Sequence, residues 1–176
     1  MTWVILTGRQ SDLDQFATPH KIITNRDYLA HPALFQSQRP KVINLSNTYA
    51  YQSRGYYASL LASSRGHRVI PTVETMIDLS EHKLYESTLP ELEQALNKCR
   101  KELGGSFPPS ITVFFGNGPV KALDRFCRLL FDWFRAPALE VKVKDGEWAS
   151  ITRIGLLPLA RIAPADKPRF LEGLEN

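Results

Sequence analysis

The apolar residues of this chain fall into short unbroken or alternating runs, separated by longer stretches of helical period. That alternation predicts an α/β fold. Residues 2–7 (TWVILT) read as a buried strand closed by Gly8. The polar run from Arg9 to Asp12 reads as a loop, and residues 21–24 (KIIT) as a short second strand. Asn25 is placed to cap a brief helix through Leu29, which His31-Pro32 ends, because the residue before proline is pushed out of the helical region. Residues 41–45 (KVINL) form the next strand, followed by a polar loop to Ser53. Ser53 is expected to cap a helix whose Tyr57, Leu60 and Leu61 share a face and which Gly66 stops. A strand over 67–73 follows, and Pro71 puts its later part at an edge or a bulge. Strand, helix and strand here make a βαβ unit, a parallel and right-handed motif.

Thr88 and Glu91 have the spacing of a capping box, with Pro90 in the first turn of the helix they would open. Leu92, Leu96, Cys99 and Leu103 line one face of that helix, and Gly104-Gly105 terminates it. The apolar run 111–115 predicts a central strand. Gly116-Asn117-Gly118-Pro119 then opens an amphipathic helix to Arg135, with Val120, Leu123, Cys127, Leu130 and Phe134 facing inward. Residues 139–144 and 147–154 alternate at period two around Asp145-Gly146, a hairpin signal. Residues 160–176 close the chain as a short helix or tail. The expectation is one α/β (α+β) domain over residues 1–176, three-layered, with a mixed, largely parallel sheet, a βαβ unit and a C-terminal β-hairpin.

Size and composition agree with that picture. The chain has 176 residues, 43% of them hydrophobic and 23% charged, enough to bury a core and far from a disordered composition. No stretch approaches the roughly 20 apolar residues of a membrane helix. The first residues lack a basic segment and a small-residue cleavage site, so a cytoplasmic protein is expected. Cys99 and Cys127 both fall in helical patterns, cannot form a metal quartet, and read as reduced thiols. The net charge of +4 divides evenly, with nine basic and seven acidic groups in residues 1–88, and thirteen and eleven in the rest. Nucleic-acid binders concentrate their charge, so such a partner is not expected.

The segment richest in chemistry is NLSNTYAYQSRGYY, from Asn44 to Tyr57. Four of the six tyrosines of the chain, Tyr49, Tyr51, Tyr56 and Tyr57, fall within nine residues of one another. The connection over 46–52 is long for a strand-to-helix loop, and in open α/β sheets ligands bind where such loops meet helix N-termini. Free backbone N–H groups with Arg54 suit a carboxylate or phosphate, and Asn44, Asn47 and the tyrosines offer polar handles on flat contact area. The alternative is structural: Ser53 as a cap, Gly55 for close packing, Tyr57 in the core.

Other chemistry is sparse. Gly116-Asn117-Gly118 resembles a phosphate loop only loosely, since the further glycines and the lysine of such loops are missing, and a tight turn is the simpler reading. His20, His31, His67 and His82 are scattered without metal-pair spacing, and His67, between a helix stop and a buried strand, reads as structural before it reads as a base. No nucleophile elbow is present and neither cysteine stands at a helix start, so no catalytic residue and no metal site is assigned.

The run KVINLSNTYAYQSRGYYASLLASSRGHRVIPTVETMIDL, from Lys41 to Leu79, resembles the signature of the RimK-like ATP-grasp N-terminal domain family. The likeness extends to Arg26-Asp27-Tyr28-Leu29, Phe115-Gly116, the segment from Leu130 to Pro137, Trp148 and Pro158-Leu159, and so covers nearly the whole chain. Its YxSxGYYxSLLAxxRGH-like core picks out Asn44, Tyr51, Ser53, Gly55, Tyr56, Tyr57, Ser59, Arg65, Gly66 and His67. Ser46 and Ser63 depart from the family pattern, which often has cysteine and an acidic residue there.

The resemblance implies a non-catalytic recognition or accessory domain beside an ATP-grasp amide ligase, helping to bind an amino-acid or peptide substrate. ATP and magnesium would enter only through the associated ATP-grasp unit, which has no counterpart in this sequence. Two other readings stand beside it. One is a docking or homodimerising module without a small-molecule ligand; the other is a small enzyme binding a nucleotide at Gly116-Asn117-Gly118.

Overall fold

The computed structural model describes residues 3–15 and 18–176, so the expected strand position at Thr2 lies outside it. Seven strands form in chain order: β1 (Trp3–Thr7), β2 (Lys21–Thr24), β3 (Lys41–Leu45), β4 (Arg68–Ile70), β5 (Ser110–Phe114), β6 (Ala138–Lys144) and β7 (Ser150–Leu156). The helices are α1 (Asn25–Ala30), α2 (Arg54–Ser64), α3 (Val73–Asp78), α4 (His82–Tyr85), α5 (Leu89–Lys98), α6 (Asp124–Phe134) and α7 (Lys167–Glu175). The α/β class, the β3–α2–β4 unit and the C-terminal hairpin are all present. Parallel and antiparallel pairing divide between two sheets: a parallel one in the order β2-β1-β3-β4, and an antiparallel one in the order β5-β6-β7.

The parallel sheet lies between two apolar clusters. On one face Val4, Leu6, Val42 and Val69 pack with Tyr28 of α1 and with Ala58 and Ala62 of α2. On the other, Ile5, Ile43 and Leu45 meet Phe114, Ala138, Ile162, Phe170 and Leu174. Alternate residues of β1 therefore point to opposite clusters, as the period of a strand requires. The antiparallel sheet buries Ile111, Val113, Leu139, Val141 and Ile154 against Leu92, Leu96, Phe126 and Leu130 of α5 and α6.

Several expectations change at the level of single elements. The 9–12 loop contains the start of a 3-10 turn, Gln10–Gln15. Thr24, not Asn25, caps α1, its hydroxyl accepting from the Asp27 N–H. Tyr57 and Leu60 are both 43% exposed, because α2 turns Gly55, Ala58, Ser59 and Ala62 to the sheet. Small side chains bring that helix close, and its large ones face out. The strand expected over 67–73 ends at Ile70, at the edge of its sheet, and helix α3 starts at Val73.

Thr88 and Glu91 form no capping box: the Thr88 hydroxyl donates to the Tyr85 carbonyl, and Glu91 accepts from the Trp133 indole N–H. β5 is an edge strand, not a central one. Its apolar run is explained by burial on both faces, Ile111 and Val113 toward α5 and α6, Phe114 toward α7. The helix expected from Gly116 begins only at Asp124, after a 3-10 turn, which leaves Val120 exposed while Leu123, Cys127, Leu130 and Phe134 are buried.

Candidate functional site

The strand order β2-β1-β3-β4 fixes where the switch point of the parallel sheet lies. The chain winds from β1 to β2 on one side, then crosses to β3 on the other side of β1, so β1 and β3 flank a switch point. In sheets of this order ligands bind outside the carboxyl ends of the strands at that point. The residues just past those ends are Gly8, Arg9, Ser46 and Asn47. An ideal Cβ on Gly8 would stand 2.9 Å from the Asn47 amide nitrogen, so the glycine lets Asn47 lie across the seam.

Beneath this seam the motif residues form a buried polar knot. The Asn44 amide donates to the Gly55 carbonyl at 2.8 Å and to the Ser59 hydroxyl at 2.9 Å. Ser46 donates to the Asn44 side-chain oxygen Oδ1 and accepts from the Asn25 amide, while Ser59 donates to the Pro71 carbonyl at 2.7 Å. Tyr49 donates its hydroxyl to the Asn44 backbone oxygen at 2.7 Å, and burial pushes its phenol above the ordinary range. Gly55 is required here: a Cβ would meet the Thr48 carbonyl at 2.1 Å and Ser46 Oγ at 2.8 Å. The side chains of Asn44, Ser46, Tyr49 and Ser59 already have partners inside the fold, whereas the Asn25 side-chain oxygen is buried without a hydrogen bond. Asn44, Tyr49, Gly55 and Ser59 thus serve as scaffold, holding the 46–53 loop against the start of α2.

Tyr51, Ser53, Arg54, Tyr56 and Tyr57 lie on the outer side of that scaffold. Ser53 caps α2, accepting from the Tyr56 N–H at 3.2 Å. Tyr51 is 73% exposed and packs edge-on against Tyr56 at 5.2 Å, which packs edge-on against Tyr57 at 5.6 Å. Three tyrosines thus make a continuous aromatic edge. Arg54 is exposed beside them and, with Arg26, Asp27 and His31, borders a surface cavity of about 470 Å³ over Gly8 and Thr24.

A second cavity, of about 560 Å³, opens on the other side of Asn47. Its floor is Leu159, Ile162, Phe170 and Leu171, and its rim carries Arg9, Asp12, Asn47 and Lys167. Sequence reading missed Arg9, Asp12 and Lys167, because more than 150 residues separate the two groups in the chain and only the strand order brings them together. The one signal available was the switch-point rule itself, which depends on knowing that β1 lies between β2 and β3.

The secondary candidates lie elsewhere. His67 is buried at 7% exposure and shares a 2.8 Å hydrogen bond between Nδ1 and the Tyr28 hydroxyl. Arg65 sits 4.7 Å over the Tyr28 ring and donates to the Tyr28 carbonyl. Burial, and then the Arg65 charge, hold the imidazole below its ordinary pKa. Gly116, Asn117 and Gly118 form a tight turn, in which Phe114 and Asn117 exchange backbone hydrogen bonds and Arg169 donates to the Asn117 carbonyl. Gly118 packs on Cys127, where a Cβ would lie 2.7 Å from Sγ, and no helix starts at this turn.

The described residues group no three His, Cys, Asp or Glu side chains that could hold a metal ion. Nor do they include a helix long and apolar enough to cross a membrane.

Against known families, the model of the RimK-like ATP-grasp N-terminal domain matches residues 25–173. The chain belongs to that family. The match starts at Asn25, after β1 and β2, and runs into α7, so the segment matched to the RimK-like ATP-grasp N-terminal domain takes in β3, β4, the antiparallel sheet and the whole tyrosine-rich motif. No curated protein matches the chain. Within the RimK-like domain the matched segment includes the buried knot and the outward tyrosines, whereas Arg9 and Asp12 precede it.

Proposed function

We propose that this chain is a non-catalytic recognition domain that serves a RimK-like ATP-grasp amide ligase, helping to bind its amino-acid or peptide substrate. Membership of a family described as a RimK-like ATP-grasp N-terminal domain supports the association with an ATP-grasp unit. The observation that carries the recognition role is the exposed edge of Tyr51, Tyr56 and Tyr57 beside Arg54, fixed by a buried polar knot at the ligand end of the parallel sheet. Tyrosine presents rigid amphipathic area at little entropic cost, and arginine pairs with carboxylates in fork geometry. ATP and magnesium belong, in this reading, to the ligase unit, and the setting is cytoplasmic.

Calorimetric titration of the chain with amino acids and short peptides tests this. Saturable binding that Tyr56→Ala and Arg54→Ala each weaken about tenfold, near 1.4 kcal/mol, is the expected result. Binding that neither substitution alters, or no binding at all, contradicts it.

A docking role is favoured by one other observation. Trp148, in the turn between β6 and β7, is 56% exposed, and aromatic side chains of this kind anchor protein contacts. Sedimentation of the chain alone, and of a Trp148→Ala variant, distinguishes a homodimer from a monomer that meets only a ligase.

A further inference from the structure

We propose that the cavity between the carboxyl ends of β1 and β3 and the start of α7 is the seat of an α-amino acid with an apolar side chain. Arg9 and Lys167 would hold its carboxylate, and Asp12 its ammonium. This seat supplies the recognition reading above with a ligand class, and it rests on that reading only for where the ligand goes next.

Position is the first ground. The cavity lies at the switch point of the parallel sheet, the place where such folds bind ligands. Its volume of about 560 Å³ falls within the roughly 300–1,000 Å³ of small-molecule sites. The 470 Å³ cavity beside Arg54 has no comparable apolar floor, being lined mainly by Gln10, Thr24, Arg26, Asp27 and His31.

The chemistry of the lining is the second ground. Leu159, Ile162, Phe170 and Leu171 form an apolar floor, and it is rigid, since Ile162 and Phe170 are 5% and 2% exposed and belong to the core under the sheet. Among the described residues, the ends of the Arg9 and Lys167 side chains form no ion pair or hydrogen bond. Two cations and one carboxylate on the rim leave a single positive excess, which suits a ligand carrying a carboxylate. Asp12 accepts the Arg9 N–H through one oxygen at 3.2 Å, which fixes its carboxylate and leaves the other oxygen for an ammonium group. The cavity also borders the first turn of α7, where the partial positive charge of a helix favours an anion.

An amino acid matches all three surfaces at once, whereas a bare hydrocarbon leaves two unused and an apolar amine or an apolar acid leaves one. Asn47, held across the seam by Gly8, offers an amide to the same carboxylate.

The test is titration of the full chain with L-phenylalanine, with 3-phenylpropionate, which lacks the amine, and with phenethylamine, which lacks the carboxylate. Heats and amide chemical shifts are the readouts. Phenylalanine is expected to bind with millimolar or better affinity, and each analogue at least about tenfold more weakly. Arg9→Ala should abolish phenylalanine binding while Arg9→Lys keeps part of it. Ala160→Trp, at an exposed position of the lining, should block the seat without unfolding the chain, as circular dichroism would verify. Failure of phenylalanine to bind, an analogue that binds as tightly, or affinity untouched by Arg9→Ala and Ala160→Trp overturns the assignment. If peptides still bind and Tyr56→Ala still weakens them, the seat falls while the recognition reading stands.

Discussion

Gly55 shows how one missing side chain sets the geometry of the motif. With a Cβ placed 2.1 Å from the Thr48 carbonyl, the loop and α2 must separate. Gly55→Ala should therefore cost at least about 2 kcal/mol, at the upper part of the range for overpacking, read as a drop in the urea midpoint. Asn44→Ala removes the donor to the Gly55 carbonyl and Ser59, and the acceptor for Ser46, all in the interior. Unfolding in urea should show a loss of about 2–3 kcal/mol, the cost of stranding buried polar groups. Tyr51→Ala should change stability by less than about 0.5 kcal/mol, because that ring is mostly in solvent.

His67 carries a pH signature. Its folded pKa lies below the ordinary value of about 6.5, because burial and Arg65 disfavour the imidazolium. Above about pH 6.5 the imidazole is neutral in both folded and unfolded chains, and its full contribution is present. Below that value the unfolded chain binds a proton that the folded chain resists, so stability falls from about pH 6.5 down to the lower folded value. Denaturant unfolding at pH 7 and pH 5.5 should show this loss, and His67→Gln should reduce the difference between the two. An unchanged pH slope in the variant would mean other groups are responsible.

At the scale of elements, helix α7 closes the cavity and is tied to β5 through Arg169. That guanidinium lies 4.3 Å over the Phe114 ring and donates to the Thr112 carbonyl, the Thr112 hydroxyl and the Asn117 carbonyl. Arg169→Ala should raise amide hydrogen exchange through α7 well before the global transition, while β1 and β3 stay protected. Equal protection in variant and parent would show that α7 is held by Phe170 and Leu174 alone.

Elements were legible in the sequence where local chemistry decides them. The strand Lys41–Leu45 and the cap at Ser53 follow from an apolar run and a side-chain oxygen, and both are found as expected. Gly66, at positive φ just past the cap of α2, ends that helix for the same local reason, whereas α5 stops at Lys98, before Leu103 and the Gly104-Gly105 pair expected to end it. The buried face of α2 was not legible, because close approach to the sheet favours Gly55, Ala58, Ser59 and Ala62 over the larger residues that a periodicity reading selects. β5 was misplaced for a related reason: burial on both faces looks the same in sequence whether helices or neighbouring strands provide it.

At the scale of the whole molecule, the tyrosine motif lies at the carboxyl end of the parallel sheet, and its residues divide into two groups. Asn44, Ser46, Gly55 and Ser59 are consumed by the scaffold, and Tyr51, Arg54, Tyr56 and Tyr57 remain free to meet a ligand. The companion surface, with Arg9, Asp12 and Lys167, exists only once the order β2-β1-β3-β4 joins the two ends of the chain. No local pattern encodes that juxtaposition.

The claim that this end of the sheet recognises an amino acid or peptide is tested most directly by backbone chemical-shift mapping. The chain would be titrated with the proteinogenic amino acids and short peptides built from them. Saturable shifts concentrated at Gly8 to Asp12, Asn47 to Tyr57 and Leu159 to Leu171 are the expected result. No saturable shift with any of them, or shifts confined to the antiparallel sheet, would contradict the account.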